Sequence, residues 1–66
     1  MTEIHFAENL RNLRKEKRWS QAFLGKLIGV DQRTISAWEN GVCEPSFSLL
    51  AKLCDIFKES FEGLLI

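Results

Sequence analysis

The chain has 66 residues and a mass of 7.6 kDa, which leaves room for one domain with one small core. Hydrophobic residues at 45% and charged residues at 27% exclude a disordered chain. No uncharged run exceeds seven residues, so no stretch is long enough to span a membrane as a helix. The first residues, Met1-Thr2-Glu3-Ile4-His5, lack the basic-then-apolar order of a signal peptide. The expected compartment is therefore the cytoplasm. Cys43 and Cys54 stand eleven positions apart, and His5 is the one histidine. This is neither a disulfide framework nor a zinc pattern, so both cysteines read as thiols and no metal or cofactor is expected. Tight helix packing or dimerisation is left to hold so small a fold.

Formal net charge is zero, from nine basic and nine acidic residues. Balance of that kind does not mark a nucleic-acid binder. Its distribution is uneven, however. Residues 1–33 carry seven basic and four acidic side chains, net +3, and residues 34–66 carry two basic and five acidic, net −3.

Strand and hairpin signals are nearly absent, as are repeats. The spacing of Phe6, Leu10 and Leu13 predicts a helix from about Ile4 to Lys17, with Arg11, Lys15 and Arg18 off the apolar face. A second helix follows Ser20, a good N-cap, with Trp19 and Leu24 at hydrophobic-staple spacing. Leu24, Leu27 and Ile28 form its apolar stripe, and Gly29 ends it. Asp31 caps a third helix, where its carboxylate also complements the helix dipole. Ile35 and Trp38 share a face of that helix, and Asn40-Gly41 closes it. Only Gly29 and Val30 separate helix two from the cap of helix three, which forces a sharp crossing. After the loop Val42-Cys43-Glu44-Pro45, Ser46 caps a fourth helix with Phe47, Leu50, Leu53, Cys54 and Phe57 on one face. Ser60 caps a short fifth helix carrying Phe61, Leu64 and Leu65. The fold class is all-α, with five helices in a single domain over residues 1–66.

Residues 21–40 reproduce the helix-turn-helix pattern. Counted from Gln21, apolar residues fall fourth, eighth, tenth, fifteenth and eighteenth, as Leu24, Ile28, Val30, Ile35 and Trp38. Gly25 is fifth, where the helices approach closely, and Gly29 is ninth, in the turn. Five positions pack the crossing, one leaves room and one bends the chain. This motif docks its second helix in the major groove of DNA.

The resemblance extends beyond the motif. Leu10-Arg11-Asn12-Leu13-Arg14, Trp19-Ser20-Gln21, Leu24 to Val30, Thr34 to Gly41, Pro45-Ser46-Phe47 and Ser60 to Leu65 resemble the phage-repressor and Cro type of helix-turn-helix domain, the xenobiotic-response-element-like family. The resemblance covers nearly the whole chain. It implies a five-helix, lambda-repressor-like domain that binds double-stranded operator DNA as a homodimer.

Carried over residue by residue, it puts Gln32, Arg33, Ser36 and Ala37 on the exposed face of the recognition helix, as base contacts. Glutamine pairs bidentately with adenine and arginine with guanine. Gln21, Asn40, Arg14 and Thr34 become phosphate contacts, Gln21 beside the positive end of a helix dipole. Arg14 and Glu39 match a partly buried structural pair. The sequence departs from the family at three places. Glu44 stands in a loop that is often basic, Phe23 on an outer face, and Lys58 where a glycine often ends helix four. Glu44 repels phosphates, so few phosphate contacts and a shallow salt dependence are expected.

Each of these residues has a plainer reading. The motif's apolar residues are core, Arg33 is an ordinary solvated arginine, Cys54 is inert packing, and His5 is a surface residue near a terminus. Phe23 either closes against Trp19 or forms an exposed apolar patch. An enzyme finds no acid pair and no nucleophile–base set here. The alternative function is a protein-interaction module, antitoxin-like, that binds through Phe23, Phe61 and Leu64-Leu65-Ile66. The homodimer is expected through the C-terminal apolar residues Phe61, Leu64, Leu65 and Ile66. Taken as a complete chain, the protein has no sensor domain, which fits a small phage regulator, a restriction–modification controller or an antitoxin.

Overall fold

The computed structural model describes residues 3–66; Met1 and Thr2, part of the leader reading, lie outside the described residues. Five helices follow in chain order: α1 Phe6–Glu16, α2 Gln21–Ile28, α3 Gln32–Glu39, α4 Phe47–Phe57 and α5 Phe61–Leu65. Four begin at the caps expected of them. Ser20 Oγ accepts from the Phe23 amide at 3.0 Å and Asp31 Oδ1 from the Arg33 amide at 3.0 Å. Ser46 Oγ accepts from the Leu49 amide at 3.3 Å and Ser60 Oγ from the Gly63 amide at 2.9 Å. Each bond satisfies an N–H that the first helical turn leaves unpaired.

α1 starts differently. His5 precedes it without a side-chain cap. The His5 backbone N–H instead donates to the Leu65 carbonyl at 2.7 Å, and Asn9 Nδ2 donates to the Leu64 carbonyl at 3.0 Å. The start of α1 is thereby tied to the end of α5. His5 is an exposed residue, as its plain reading held, and its ring stands 3.1 Å from the Glu3 carboxylate.

The core is one cluster: Phe6, Leu10, Leu24, Ile28, Ile35, Trp38, Leu50, Leu53, Phe57 and Leu64. Leu13, Trp19, Val30, Leu49, Cys54, Ile56 and Leu65 pack against it from its edge. Every helix contributes, so no helix is a removable appendage.

The helix-turn-helix geometry rests on Gly25. A Cβ there would stand 2.6 Å from the Val30 carbonyl oxygen, a backbone atom with no rotamer to yield. The Gly29 and Val30 amides both donate to the Gly25 carbonyl at 2.8 Å, which closes the end of α2. Gly29 takes φ +82°, the left-handed conformation that costs glycine little.

Three apolar expectations are corrected. Leu27 is 46% exposed, because Leu24 and Ile28 occupy the stripe that faces α3 and α4. Phe47 is 86% exposed: it is the first residue of α4 and overhangs the core that Leu50 and Leu53 enter. Leu64, expected at a dimer seam, is wholly buried. Burying one leucine side chain is worth roughly 1.5–3 kcal/mol, and in a core this small α5 must spend Leu64 inside the protomer.

Candidate nucleic-acid interface

A helix that reads DNA is held firmly on one face and open on the other, and α3 has both faces. The inner face is Ile35 and Trp38, both buried, with the Trp38 ring edge-on to Phe6 at 6.5 Å. Gln32 and Arg33 open the helix and are exposed. Neither side chain makes a hydrogen bond among the described residues. Ser36 and Ala37 follow one turn later and are half-buried, as is Thr34. Asn40 is exposed, and its Nδ2 donates to Ser36 Oγ at 3.3 Å. Ser36 and Asn40, assigned respectively to a base and to a phosphate, are thus partnered with each other in the free protein.

The centre of the support is Glu39, the one buried charged residue among those described, at 3% exposure. Arg14 grips its carboxylate with two donors, Nε to Oε2 at 2.7 Å and Nη2 to Oε1 at 2.9 Å. Gln21 Nε2 adds a third bond to Oε1 at 3.1 Å. Arg14 Nη1 also donates to the Trp19 carbonyl at 2.8 Å, just before α2. One arginine of α1 therefore fixes both helices of the motif. Burial pushes the Glu39 carboxyl up, but the Arg14 and Gln21 hydrogen bonds and the Arg14 and Arg11 charges outweigh it and hold its pKa below the ordinary value. The bond to Glu39 likewise holds the Arg14 guanidinium above its ordinary value, against the opposing effect of burial.

The Arg14–Glu39 pair inferred from the resemblance is present. The same geometry commits Gln21 and Arg14, two of the four phosphate candidates, to bonds inside the protein. The backbone at the start of α2 stays on the surface beside exposed Ser20. Two contacts escaped the sequence reading. Arg11, placed off the apolar face, donates from Nη2 to the Glu39 carbonyl at 2.6 Å. Gln21 turns its side chain toward Glu39. A signal for Arg11 existed: it is one turn before Arg14 on α1, and α3 has no basic residue in its last turn.

Trp19 packs between Phe23 and Phe57, with both ring centroids at 5.5 Å. Phe23 closes against Trp19 and is still 44% exposed, so both of its readings hold in part. At the opposite end, Ile4, Phe6, Pro45, Phe47, Leu50 and Leu65 line an apolar groove. Both cysteines are free, with Cys43 exposed and Cys54 half-buried. Burial, with the nearby Glu59 charge, pushes the Cys54 thiol up and disfavours its thiolate. No described helix is long and apolar enough to cross a membrane. No group of three His, Cys, Asp or Glu able to hold a metal occurs among the described residues.

A crossing of two short helices about a close glycine, with the second helix buttressed inside and open outside, defines a helix-turn-helix domain. The helix-turn-helix family profile matches residues 10–64, and the chain belongs to that family, in its Cro and repressor branch. It is similar to the HTH-type transcriptional regulator AnsR of Bacillus subtilis (strain 168), with 36% identity over 58 residues, 88% of this chain and 50% of that protein. A crystal structure of a transcriptional regulator from Listeria innocua superposes with TM-score 0.92 at 30% identity, over 97% of this chain and 60% of that one. The P22 c2 repressor, solved with a synthetic operator, superposes with TM-score 0.86 at 34% identity, over 98% of this chain and 96% of that one. The same fold also forms part of hydroxypropylphosphonic acid epoxidase from S. wedmorenis, with TM-score 0.82 and 31% identity over 92% of this chain but 32% of that one. The chain spans about half the length of AnsR.

Proposed function

We propose that the protein is a sequence-specific, double-stranded DNA-binding transcriptional regulator of the cytoplasm, with no catalytic role. α3 enters the major groove. Gln32 and Arg33 read bases, and Ser36 and Ala37 make the shorter contacts behind them, the Ala37 methyl against a thymine methyl. The Asn40, Thr34 and Gln21 segments meet phosphates, which fix register rather than sequence. The observation that carries this reading is the pair Gln32 and Arg33. Both are exposed and unpartnered among the described residues, at the start of a helix locked from behind by Glu39 and Trp38. The operator-bound P22 c2 repressor, similar along almost its whole length, supports it.

A homodimer on a two-fold operator completes the proposal. With Leu64 spent in the core, the seam falls to Phe61 and Ile66, half exposed, to the edge of Leu65, and to the groove beside Phe47. A second reading rests on Phe23 and Leu27. Both are exposed and one turn apart on the outer face of α2, and they fit a partner-binding module of the antitoxin kind.

Selection from a random duplex pool at moderate salt decides between the two. The expected result is a pair of inverted half-sites whose centres lie about one duplex turn, ~34–36 Å, apart. No enrichment by folded protein overturns the DNA reading and favours the α2 face.

A further inference from the structure

We infer that Arg11 is a positioning residue for α3, capping that helix's C-terminus from α1. The inference rests on the DNA-binding reading for its consequence, though not for its geometry. The last carbonyls of α3 are nearly all used by the chain that follows. Ser36 O accepts from the Asn40 amide at 3.0 Å, Ala37 O from the Val42 amide at 2.9 Å and Trp38 O from the Gly41 amide at 3.2 Å. These bonds leave the Glu39 carbonyl, and Arg11 Nη2 takes it at 2.6 Å. The C-terminus of a helix carries partial negative charge and favours a cation. α3 has no basic residue in its own last turn. Arg11 supplies that cation from another helix.

Two arginines one turn apart on α1 therefore hold the same residue by different handles. Arg14 takes the Glu39 carboxylate, and Arg11 takes its backbone oxygen, with Arg11 Nε 3.8 Å from Oε1. The side-chain grip resists rotation of α3 about its axis, and the backbone grip resists tilt. Tilt matters for recognition. Gln32 lies seven residues from Glu39, about 10 Å along the helix, so a tilt of about 10° pivoting at Glu39 moves Gln32 by about 2 Å. That displacement exceeds the tolerance of a bidentate base contact.

Arg11 also lines a shallow polar cleft with Glu8, Asn12, Lys15 and Asn40. A phosphate there would meet Lys15 beside Arg11, but it would also face the Glu8 and Glu39 carboxylates and the negative end of α3. The electrostatics thus favour Arg11 as counter-charge to the helix over a direct phosphate ligand.

The test compares Arg11→Ala, Arg11→Lys and wild type, first without DNA. In Arg11→Ala, amide exchange at Trp38, Glu39 and Asn40 should accelerate about tenfold relative to Leu24 and Ile28 of α2, and Arg11→Lys should recover most of it. With the selected operator, Arg11→Ala should bind about tenfold more weakly, with binding to unrelated duplex and the salt slope unchanged. Exchange that accelerates equally in every helix, with operator binding intact, overturns the inference in favour of general stability. Equal loss on all duplexes, with a slope shallower by about 0.9, overturns it in favour of a phosphate contact. If wild-type protein binds no duplex, the functional proposal fails, and local against global exchange still decides the cap.

Discussion

Arg33 and Arg14 are the same residue type doing opposite work. Arg33 is exposed and unpartnered among the described residues, so its replacement should leave the fold alone. Arg33→Ala, and likewise Gln32→Ala, should each cost roughly 1–3 kcal/mol of operator affinity and relax preference at one base position. Binding to single-base operator variants, with melting temperature as control, checks this. Removing Arg14 strands a buried carboxylate, and breaking such a pair typically costs about 3–5 kcal/mol. Arg14→Ala should therefore fail in thermal melts before DNA is added. The Glu39 carboxyl also sets the acid behaviour. Its pKa is lower folded than unfolded, where glutamate titrates near 4.3. Above that value both states are ionised and the full stabilisation is present. As pH falls through it, the unfolded chain takes the proton first, so stability declines until the folded pKa is passed. Urea midpoints should fall below about pH 4.5 in wild type, and less steeply in Glu39→Gln, which begins from lower stability.

Helix starts were readable because a cap is a local bond between neighbours in sequence, as at Ser20, Asp31, Ser46 and Ser60. Helix ends were readable where glycine marked them, after α2 and α3, and where the apolar spacing stopped, near Lys17 after α1. Just past α1, beyond its cap Lys17, stands Arg18 at φ 60°, and α4 is capped by Lys58 at φ 55°, both left-handed without being glycine. Their amides still complete closing bonds, Arg18 to Lys15 O at 2.9 Å and Lys58 to Asp55 O at 3.3 Å. A left-handed L-residue costs roughly 1–2 kcal/mol, and glycine returns part of that gain as unfolded-state entropy. Lys58→Gly should therefore stabilise by about 0.5–1 kcal/mol, seen as a melting temperature several degrees higher. Gly25→Val should act the other way. Its Cβ alone meets the Val30 carbonyl, so the α2–α3 crossing must open. The expected loss is about 3 kcal/mol, with DNA binding lost even where the variant remains helical by circular dichroism.

At the scale of the molecule, two apolar patches stand out among the exposed residues, beside the separately exposed Val42, Phe61 and Ile66. One is the α2 ridge of Phe23 and Leu27, and the other is the groove of Ile4, Pro45, Phe47 and Leu65. A standard interface buries about 800 Å² per partner, more than any one exposed side chain supplies, so a dimer has to use the groove as a unit. Phe47→Asp should change the melting temperature little, because the ring is already in solvent; if wild-type protein sediments as the proposed dimer at tens of micromolar, the variant should sediment as a monomer. A dimeric variant would rule out the groove as the seam, and a monomeric wild type would overturn the proposed dimer. The salt dependence of operator binding should be shallow, since Arg14 is already committed inside the protein and Glu44 stands exposed in the loop after α3.

The amino-acid order alone determined the five helices, the close glycine at Gly25, the two-residue turn and the family, because each depends on contacts within a few residues or on a fixed twenty-residue geometry. It also pointed, through the resemblance, to the Arg14–Glu39 pair. Tertiary structure decided which stripe residues are truly inside, exposing Leu27 and Phe47 and burying Leu64, because a helix face has about 100° of width and the neighbouring helix chooses which part it covers. It decided as well that Gln21 bonds inward and that Arg11 reaches the end of α3. Those contacts join residues 18 and 28 positions apart, and no local periodicity records where such a side chain points.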